Sequence, residues 1–168
     1  MPPAEVRPSS MPALILDLDS LVKETEKMRA AGQQIILANG CFDLLHVGHV
    51  RYLAGAKELG GVLVVAINSD RQARALKGEG RPYAPEQERA ELVAAIRYVD
   101  LVTIFDDATV ERVLRAIRPD IHAKGTDYTT ETVPEREIVR ELGGRVAIVG
   151  DPKDHSSTEI GQRLKVKE

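Results

Sequence analysis

The chain has little of several features that would mark a specialised class of protein. Cys41 is its one cysteine in 168 residues, so no internal disulfide can form and a reducing compartment is favoured. Four tyrosines, two phenylalanines and no tryptophan leave little aromatic surface for stacking single-stranded bases. The longest purely apolar run, residues 62–67, is far too short to span a bilayer.

An excess of charge of one sign is also missing. The 23 basic and 26 acidic residues give a net charge of −3, which offers no electrostatic footprint for duplex nucleic acid or an anionic membrane. No charged-then-apolar leader opens the chain, so no signal peptide is predicted. These observations predict a cytoplasmic globular protein that binds neither nucleic acid nor a membrane.

The pattern along the chain predicts one domain. Residues 1–12 contain four prolines and no periodicity, which predicts a flexible tail before a single domain over residues 13–168. A leading helix is expected between a cap at Asp19 or Ser20 and a stop at Gly32. Five short apolar runs then alternate with helical stretches. The apolar runs are residues 34–38, 62–67, 99–105, 120–123 and 145–149. This alternation predicts an α/β, Rossmann-like, doubly wound five-stranded parallel sheet with helices on both faces.

The longest stretch without periodicity covers residues 69–85, between a predicted strand and the next helix. It is polar and contains Lys77-Gly78-Glu79-Gly80-Arg81-Pro82. An irregular loop of this length is more often functional than idle, although a solvated surface loop is the alternative.

The loop at residues 39–49 follows the first buried strand and enters a helix. Ligands of open parallel sheets bind at such loops, beyond the carboxyl ends of the strands. Gly40 and Gly48 allow a close backbone approach, and the helix N-terminus offers free N–H groups to a phosphate. The loop has neither the P-loop spacing nor the dinucleotide-binding fingerprint. It offers instead two imidazoles, His46 and His49, three residues apart.

Three interpretations of His46 and His49 are open. Both rings could be hydrogen-bonded packing groups. They could bind zinc, which requires a third ligand, and Cys41 is the one soft candidate nearby. They could also donate hydrogen bonds to a phosphoryl group as charge develops on it. The last interpretation accounts for the glycines, the helix dipole and the loop position together.

These residues also carry a family resemblance. Asn39-Gly40-Cys41-Phe42-Asp43 followed by His46-x-Gly48-His49 resembles the nucleotidyltransferase superfamily that shares an HxGH motif. From about residue 14 to residue 164 the chain looks like the adenylyltransferase domain of ADP-heptose synthesis. The further matching segments are Lys77-Gly78, Arg81-Pro82, Glu88-Arg89-Ala90-Glu91-Leu92, Val99-Asp100, Phe105-Asp106-Asp107, Lys124-Gly125-Thr126-Asp127-Tyr128 and His155-Ser156-Ser157-Thr158. The chain has no length for the sugar kinase fused to this domain in some relatives, so the stand-alone form is expected.

The resemblance implies an activity. It implies transfer of AMP from ATP to D-glycero-β-D-manno-heptose 1-phosphate, which gives an ADP-sugar for lipopolysaccharide synthesis and pyrophosphate. Mg²⁺ is expected with ATP, with Asp43 as one candidate partner and the metal ligands otherwise open. A homodimer is an open alternative to a monomer.

The resemblance also implies roles for single residues. His46, His49 and Lys77 are expected to be catalytic, with Lys77 closing over the triphosphate. Arg81 and Arg89 are expected to contact phosphate or acceptor, and Arg89 could instead tie its helix to the sheet. Nucleotide contacts are expected from Asn39, Gly40, Cys41, Phe42, Asp43, Gly48, Lys124, Gly125, Asp127, Ser156, Ser157 and Thr158.

Two departures from the family pattern leave the acceptor sugar open. The family usually has Lys-Gly-Gly-Asp at residues 124–127, where this chain has Thr126, and Ser-Thr-Thr at residues 156–158, where this chain has Ser157. Glycerol-3-phosphate cytidylyltransferase is the nearest alternative, but its late signature begins with an arginine where this chain has Asp151. A nucleotide-binding sensor without turnover is a second alternative, although the histidines, the lysine and the Ser/Thr cluster are all present.

Overall fold

The computed structural model describes residues 11–152 and 156–165, so all but the last two residues of the predicted tail lie outside it. Strands and helices alternate along the described chain. The strands are β1 (Leu14–Ile15), β2 (Ile35–Gly40), β3 (Val62–Asn68), β4 (Leu101–Phe105), β5 (Ile121–Lys124) and β6 (Arg145–Ile148). The helices are α1 (Leu18–Ala30), α2 (Val47–Lys57), α3 (Asp70–Lys77), α4 (Glu86–Ala94), α5 (Glu111–Ile117), α6 (Arg136–Glu141) and α7 (Ser157–Lys165). None of the described helices is long and apolar enough to cross a bilayer.

The strands form one parallel sheet in the order β1-β4-β3-β2-β5-β6. The predicted doubly wound α/β architecture is confirmed, and the five predicted strands correspond to β2 through β6. The sheet has a sixth strand because β1 pairs with the edge of β4. Leu14 and Ile15 are both exposed, and two residues are too few for a hydrophobic pattern.

The strand order reverses at the centre of the sheet, between β2 and β5. From β2 the chain moves through β3 and β4 towards one edge, and β5 and β6 then extend the other half. The carboxyl ends of β2 and β5 are neighbours, and Gly40 and Lys124 are the last residues of these two strands. Parallel α/β sheets bind their ligands at this kind of reversal.

Each face of the sheet carries its own hydrophobic layer because neighbouring side chains of a strand point to opposite faces. In β2, Ile36 and Ala38 pack in the layer that includes α2 and α4, whereas Ile35 and Leu37 pack in the layer that includes α1, α5 and α6. Every residue of β3 is buried. The non-alternating apolar runs of the sequence are therefore explained by helices on both faces.

The leading helix begins earlier than predicted. Asp17 is its N-cap, and the Asp17 carboxylate accepts a 2.8 Å hydrogen bond from the backbone N–H of Ser20. The predicted caps, Asp19 and Ser20, lie inside the first turn of α1. The predicted end is confirmed, since Gly32 follows the helix with a φ of +80°.

The first half of the segment 69–85 is helical, so the prediction of an irregular loop throughout is wrong. The Ser69 hydroxyl caps α3 by accepting a 3.2 Å hydrogen bond from the N–H of Gln72. Ala73 is the one buried residue of this helix. Five of the eight residues of this helix are polar or charged, so its sequence resembles that of a polar loop.

Arg89 is fully buried and joins α4 to three other parts of the fold. Its Nη1 donates to the carbonyl oxygens of Cys41 at 2.6 Å and Asn68 at 2.9 Å, and its Nε donates to Ala84 O at 3.0 Å. Its Nη2 forms a 2.9 Å ion pair with Asp70 Oδ1. These bonds use four of the five N–H groups of the guanidinium, so the geometry favours the alternative in which Arg89 ties its helix to the sheet.

Replacing Arg89 with methionine should lower the free energy of unfolding by about 3 kcal/mol, because the three carbonyl groups and Asp70 lose their buried partner. Urea denaturation measures the change. Arg74→Met, at an exposed position of α3, is the control and should shift stability by less than about 0.5 kcal/mol. Equal shifts in the two variants would contradict the role given to Arg89.

Candidate active site at the reversal of strand order

A cleft of about 750 Å³ opens over the carboxyl ends of β2 and β5. This volume is typical of a small-molecule site. The cleft collects nearly all of the predicted site residues, namely Asn39, Gly40, Cys41, Phe42, Asp43, His46, Gly48, His49, Lys77, Arg81, Lys124, Gly125, Asp127, Ser156, Ser157 and Thr158. Arg89 is the predicted residue that does not line it. The lining also includes residues that sequence reasoning missed, among them Tyr52, Asn68, Thr109 and Glu135.

His46 and His49 cap the N-terminus of α2 and also line the cleft. The Nδ1 of His46 accepts a 3.1 Å hydrogen bond from the N–H of Gly48, and the Nδ1 of His49 accepts a 3.3 Å bond from the N–H of His46. A ring nitrogen that accepts carries no proton, so these bonds assign the proton of each neutral imidazole to Nε2. The two rings stack with their centroids 3.9 Å apart. Packing and donation to a ligand are therefore compatible roles of the same pair.

The zinc interpretation finds no third ligand in the described chain. The thiol of Cys41 contacts Asn68 Oδ1 at 3.7 Å, and burial raises the pKa of this thiol. A metal binds the thiolate, which burial disfavours. Within residues 11–152 and 156–165, no group of three or more His, Cys, Asp or Glu side chains is placed to hold a metal ion.

The Phe42 ring packs against the His49 ring. The Phe42 side chain is buried, and its ring centroid lies 5.4 Å from that of His49. A Cβ atom on Gly40 would stand 3.2 Å from the Phe42 ring, so glycine leaves room for it. Phe42 and Leu44 adopt φ values of 49° and 57°, a region that non-glycine residues seldom occupy. With this unusual backbone conformation, the Phe42 ring is buried and lies against the imidazole of His49.

The buried side chain of Asp43 joins the loop 39–49 to the residues that precede α4. Its Oδ2 accepts from Arg81 Nε at 2.8 Å, and both of its oxygens accept from the N–H of Tyr83. Oδ1 also accepts from the N–H of Ala84 at 3.3 Å. With both oxygens bonded to the protein, Asp43 has no lone pair prepared for Mg²⁺. The metal contact considered from the sequence is not part of this geometry.

Arg81, which donates to Asp43, also lines the cleft. Its guanidinium carbon stands 4.4 Å from the centroid of the Tyr83 ring. Its Nη2 is buried without a hydrogen-bond partner among the described residues. The second half of the segment 69–85 is thus anchored by Asp43.

α7 packs directly on the anchored segment. A Cβ atom on Gly161 would overlap the hydroxyl oxygen of Tyr83, so glycine allows this close approach. Ser156 caps the helix by accepting a 3.0 Å bond from the N–H of Glu159, and Ser157 Oγ donates to Leu44 O at 3.3 Å. The Ser/Thr cluster therefore acts as a cap and also faces the cleft. His155, part of the sequence resemblance, lies outside the described residues.

His122, on β5, is a functional candidate that sequence reasoning missed. It is fully buried, and its Nε2 lies 2.8 Å from Asn39 Oδ1. Burial, aided by the charge of Lys124, lowers the pKa of His122 to about 3, so the ring is neutral. The Nε2–H group of the neutral ring therefore donates to Asn39 Oδ1. A lone histidine inside an apolar run gives no sequence signal beyond that of a core residue.

Lys124 and Glu135 form a second pair that the sequence did not reveal. Lys124 Nζ is 3.9 Å from Glu135 Oε2 and 4.6 Å from the centroid of the Tyr128 ring. The two side chains are 9% and 14% exposed. Burial lowers the pKa of Lys124, while Glu135 and Asp127 act in the opposite direction. Glu135 follows Pro134, a pattern that indicates only the first turn of a helix.

Comparisons with known proteins give a family match and several similar proteins. Residues 37–163 match the family model described as cytidylyltransferase-like. The chain is 43% identical over 159 residues to the bifunctional protein HldE of Desulfatibacillum aliphaticivorans, covering 95% of this chain and 32% of that protein. It is 47% identical over 150 residues to HldE of Pelobacter propionicus, covering 89% and 31%. The chain thus spans about a third of the length of the curated relatives it matches.

A solved structure has the same fold. The lipopolysaccharide core biosynthesis protein from Thermoplasma volcanium aligns with a TM-score of 0.64 and 27% sequence identity, over 73% of this chain and 100% of that chain. The expectation of a Rossmann-like nucleotidyltransferase fold is confirmed by this likeness and by the family match.

Acidification should destabilise the protein partly through His122. The pKa of His122 is about 3 in the fold and about 6.5 when unfolded, so the unfolded chain binds the proton first as the pH falls below 6.5. The contribution of His122 to stability is complete above that pH and should fall by about 2 kcal/mol between pH 7 and pH 5.

His122→Gln should remove this part of the pH dependence, because the glutamine amide can still donate to Asn39 but does not titrate. Urea denaturation at pH 7, 6 and 5 compares the two proteins. An identical fall in both would show that His122 is not held neutral by the fold.

Proposed function

The chain belongs to the cytidylyltransferase-like family, and on this premise we propose that it transfers AMP from ATP to a sugar 1-phosphate, with D-glycero-β-D-manno-heptose 1-phosphate as the acceptor. The products are an ADP-sugar and pyrophosphate. One observation carries the proposal. The imidazoles of His46 and His49 stand at the N-terminus of α2, inside the cleft, with their protons on Nε2. The relatives named HldE and the relative named for lipopolysaccharide core biosynthesis support a sugar acceptor.

The reaction needs no nucleophile from the protein. An oxygen of the acceptor phosphate attacks the α-phosphorus of ATP, a new P–O bond forms, and the bond to the leaving pyrophosphate breaks in line. The acceptor oxygen is already ionised near neutral pH, so no base has to remove a proton from it. Catalysis then consists mainly of positioning and of electrostatic stabilisation of the transferred group.

His46 and His49 suit this electrostatic role. Because the backbone N–H groups occupy both Nδ1 atoms, each ring can only donate, through Nε2, to the phosphate oxygens beside α2. The dipole of the helix N-terminus adds further stabilisation of negative charge. Neither ring has to gain or lose a proton during transfer, so both are preorganised for the transition state.

We assign the neutralisation of the phosphate charge to two cationic side chains that line the cleft, Lys77 and Arg81. Lys77 ends α3 and lines the cleft. Arg81 lies on the same side, and its Nη2 has no hydrogen-bond partner among the described residues. Mg²⁺ would be held mainly by the phosphate oxygens of ATP, since the described residues contain no cluster of metal ligands and Asp43 is fully bonded. Bound in this way, it would neutralise phosphate charge. Such an ATP-dependent enzyme belongs in the cytoplasm.

The choice of ATP over CTP is supported by Asp151. The cytidylyltransferases that resemble this chain have an arginine here, whereas Asp151 is acidic and pairs with Arg51 Nη1 at 3.1 Å. Its carbonyl oxygen accepts a 2.7 Å bond from the hydroxyl of Thr126, so the loops after β5 and β6 are joined. A cytidylyltransferase acting on glycerol 3-phosphate remains the alternative function.

Pyrophosphate release should be fastest with ATP. The measurement is a matrix of ATP, CTP, GTP and UTP against heptose 1-phosphate, other sugar 1-phosphates and glycerol 3-phosphate. We expect the highest kcat/KM for ATP with the heptose 1-phosphate. A higher value for CTP with every acceptor would replace this proposal with the cytidylyltransferase alternative. Nucleotide binding without pyrophosphate release in any combination would favour the sensor alternative.

Removing the Nε2 donor of His49 should lower the single-turnover rate by roughly 10²–10³-fold, as the loss of one oxyanion donor does. His49→Asn is the informative variant, because its amide oxygen can still accept the cap bond from the N–H of His46 while no donor reaches the Nε2 position. Its melting temperature should stay near that of the wild type.

His49→Gln is the matched control. Its amide nitrogen can reach the Nε2 position while the cap bond is lost, so stability should fall by about 1 kcal/mol and more of the rate should survive than in His49→Asn. Near wild-type turnover in His49→Asn would reject the catalytic role of this ring.

A further inference from the structure

Lys124 and Glu135 carry opposite charges on the β5 side of the cleft without a hydrogen bond between them. Their 3.9 Å separation is longer than a hydrogen bond, and Glu135 Oε2 is buried with no partner among the described residues. The Tyr128 ring, 4.6 Å from Nζ, holds the ammonium group in place. Buried polar groups are normally satisfied, so this pair is prepared for a ligand that completes its bonds.

The pair is poorly suited to phosphate. The charge of Lys124 is already countered by Glu135 at 3.9 Å and by the nearby carboxylate of Asp127. Two carboxylates beside one ammonium group would repel a phosphate. Lys77 and Arg81 lie on the opposite side of the cleft, and among the described residues Arg81 is paired with one carboxylate, that of Asp43. The two sides of the cleft therefore favour different parts of a substrate.

A pair of neighbouring hydroxyl groups fits the Lys124 side. A hydroxyl accepts from an ammonium group and donates to a carboxylate. One hydroxyl of a vicinal diol can bond Lys124 while the next bonds Glu135, and together they bridge the gap between the two side chains. An ionised partner strengthens each of these bonds. Pro134 fixes the chain just before Glu135 and also lines the cleft.

We infer that Lys124 and Glu135 form a subsite for a vicinal diol of a sugar ring. The sequence predicted a nucleotide contact for Lys124 without naming the group that it binds, and this inference identifies that group as a hydroxyl. The inference rests on the proposed function, because that reaction brings two such diols into the cleft. One is the 2′,3′-diol of the nucleotide ribose and the other belongs to the acceptor sugar.

The first experiment is independent of turnover. Calorimetry measures the binding of ADP, 2′-deoxy-ADP and 3′-deoxy-ADP to the wild type and to Glu135→Met. If the ribose occupies the subsite, the wild type should bind ADP roughly tenfold more tightly than the deoxy analogues, and Glu135→Met should lose this preference. Glu135→Gln, which keeps an acceptor oxygen, should restore part of it.

The second experiment tests the acceptor sugar. If its diol occupies the subsite, ADP binding should be the same in the wild type and Glu135→Met. The KM for heptose 1-phosphate should instead rise about tenfold with little change in kcat. Analogues that lack one hydroxyl of the diol should lose no further efficiency in the variant. Wild-type discrimination against the analogues is required in either case, so it tests the inference even if Glu135→Met does not fold.

A third measurement separates the diol from phosphate. The dissociation constant of pyrophosphate should be nearly unchanged in Lys124→Met. A tenfold weakening there would overturn the inference. So would a wild type that discriminates against neither the deoxy analogues of ADP nor the acceptor analogues that lack a hydroxyl. Discrimination among the ADP analogues without any catalytic turnover would uphold the subsite and overturn only the proposed reaction.

Discussion

The cleft depends on the way in which α2 begins. The first N–H groups of a helix need acceptors, and here two of them find ring nitrogens instead of the usual hydroxyl or carboxylate oxygens. The same bonds that secure the helix start decide which nitrogen of His46 and of His49 holds the proton. Structure and chemistry are therefore coupled at this point. A substitution there changes the cap and the donor together unless it is chosen to separate them.

The rest of the site is built outward from the loop that leads into α2. Phe42 packs under His49, and Asp43, the next residue, fastens the segment around Tyr83 to the same loop. α7 packs on that segment, where Gly161 lies against the Tyr83 side chain. Burying a carboxylate costs free energy unless its oxygens are bonded, and Asp43 offsets this cost with partners about 40 residues away along the chain. The positions of Lys77 and of the Ser/Thr cluster are thereby set relative to the histidines.

The sequence predicts what is local and periodic. Short apolar runs are sufficient to indicate five of the six strands, and the glycines and histidines of one loop indicate where a phosphate would bind. What it conceals depends on distant partners. β1 is two exposed residues paired with β4, and α3 buries a single alanine. The contacts of His122 with Asn39 and of Lys124 with Glu135 join residues that only the fold brings together. No spacing rule identifies such pairs.

The distribution of charge explains how one cleft can serve two substrates. The imidazoles at its centre are neutral donors, so they can face phosphate oxygens without the desolvation cost that a buried ammonium group would carry. Full positive charge stands to one side, at Lys77, which lies at the exposed end of α3. The compensated pair of Lys124 and Glu135 stands on the other side and suits hydroxyl groups. A substrate with its phosphate at the centre and its sugar near β5 would satisfy each region with the chemistry for which that region is built.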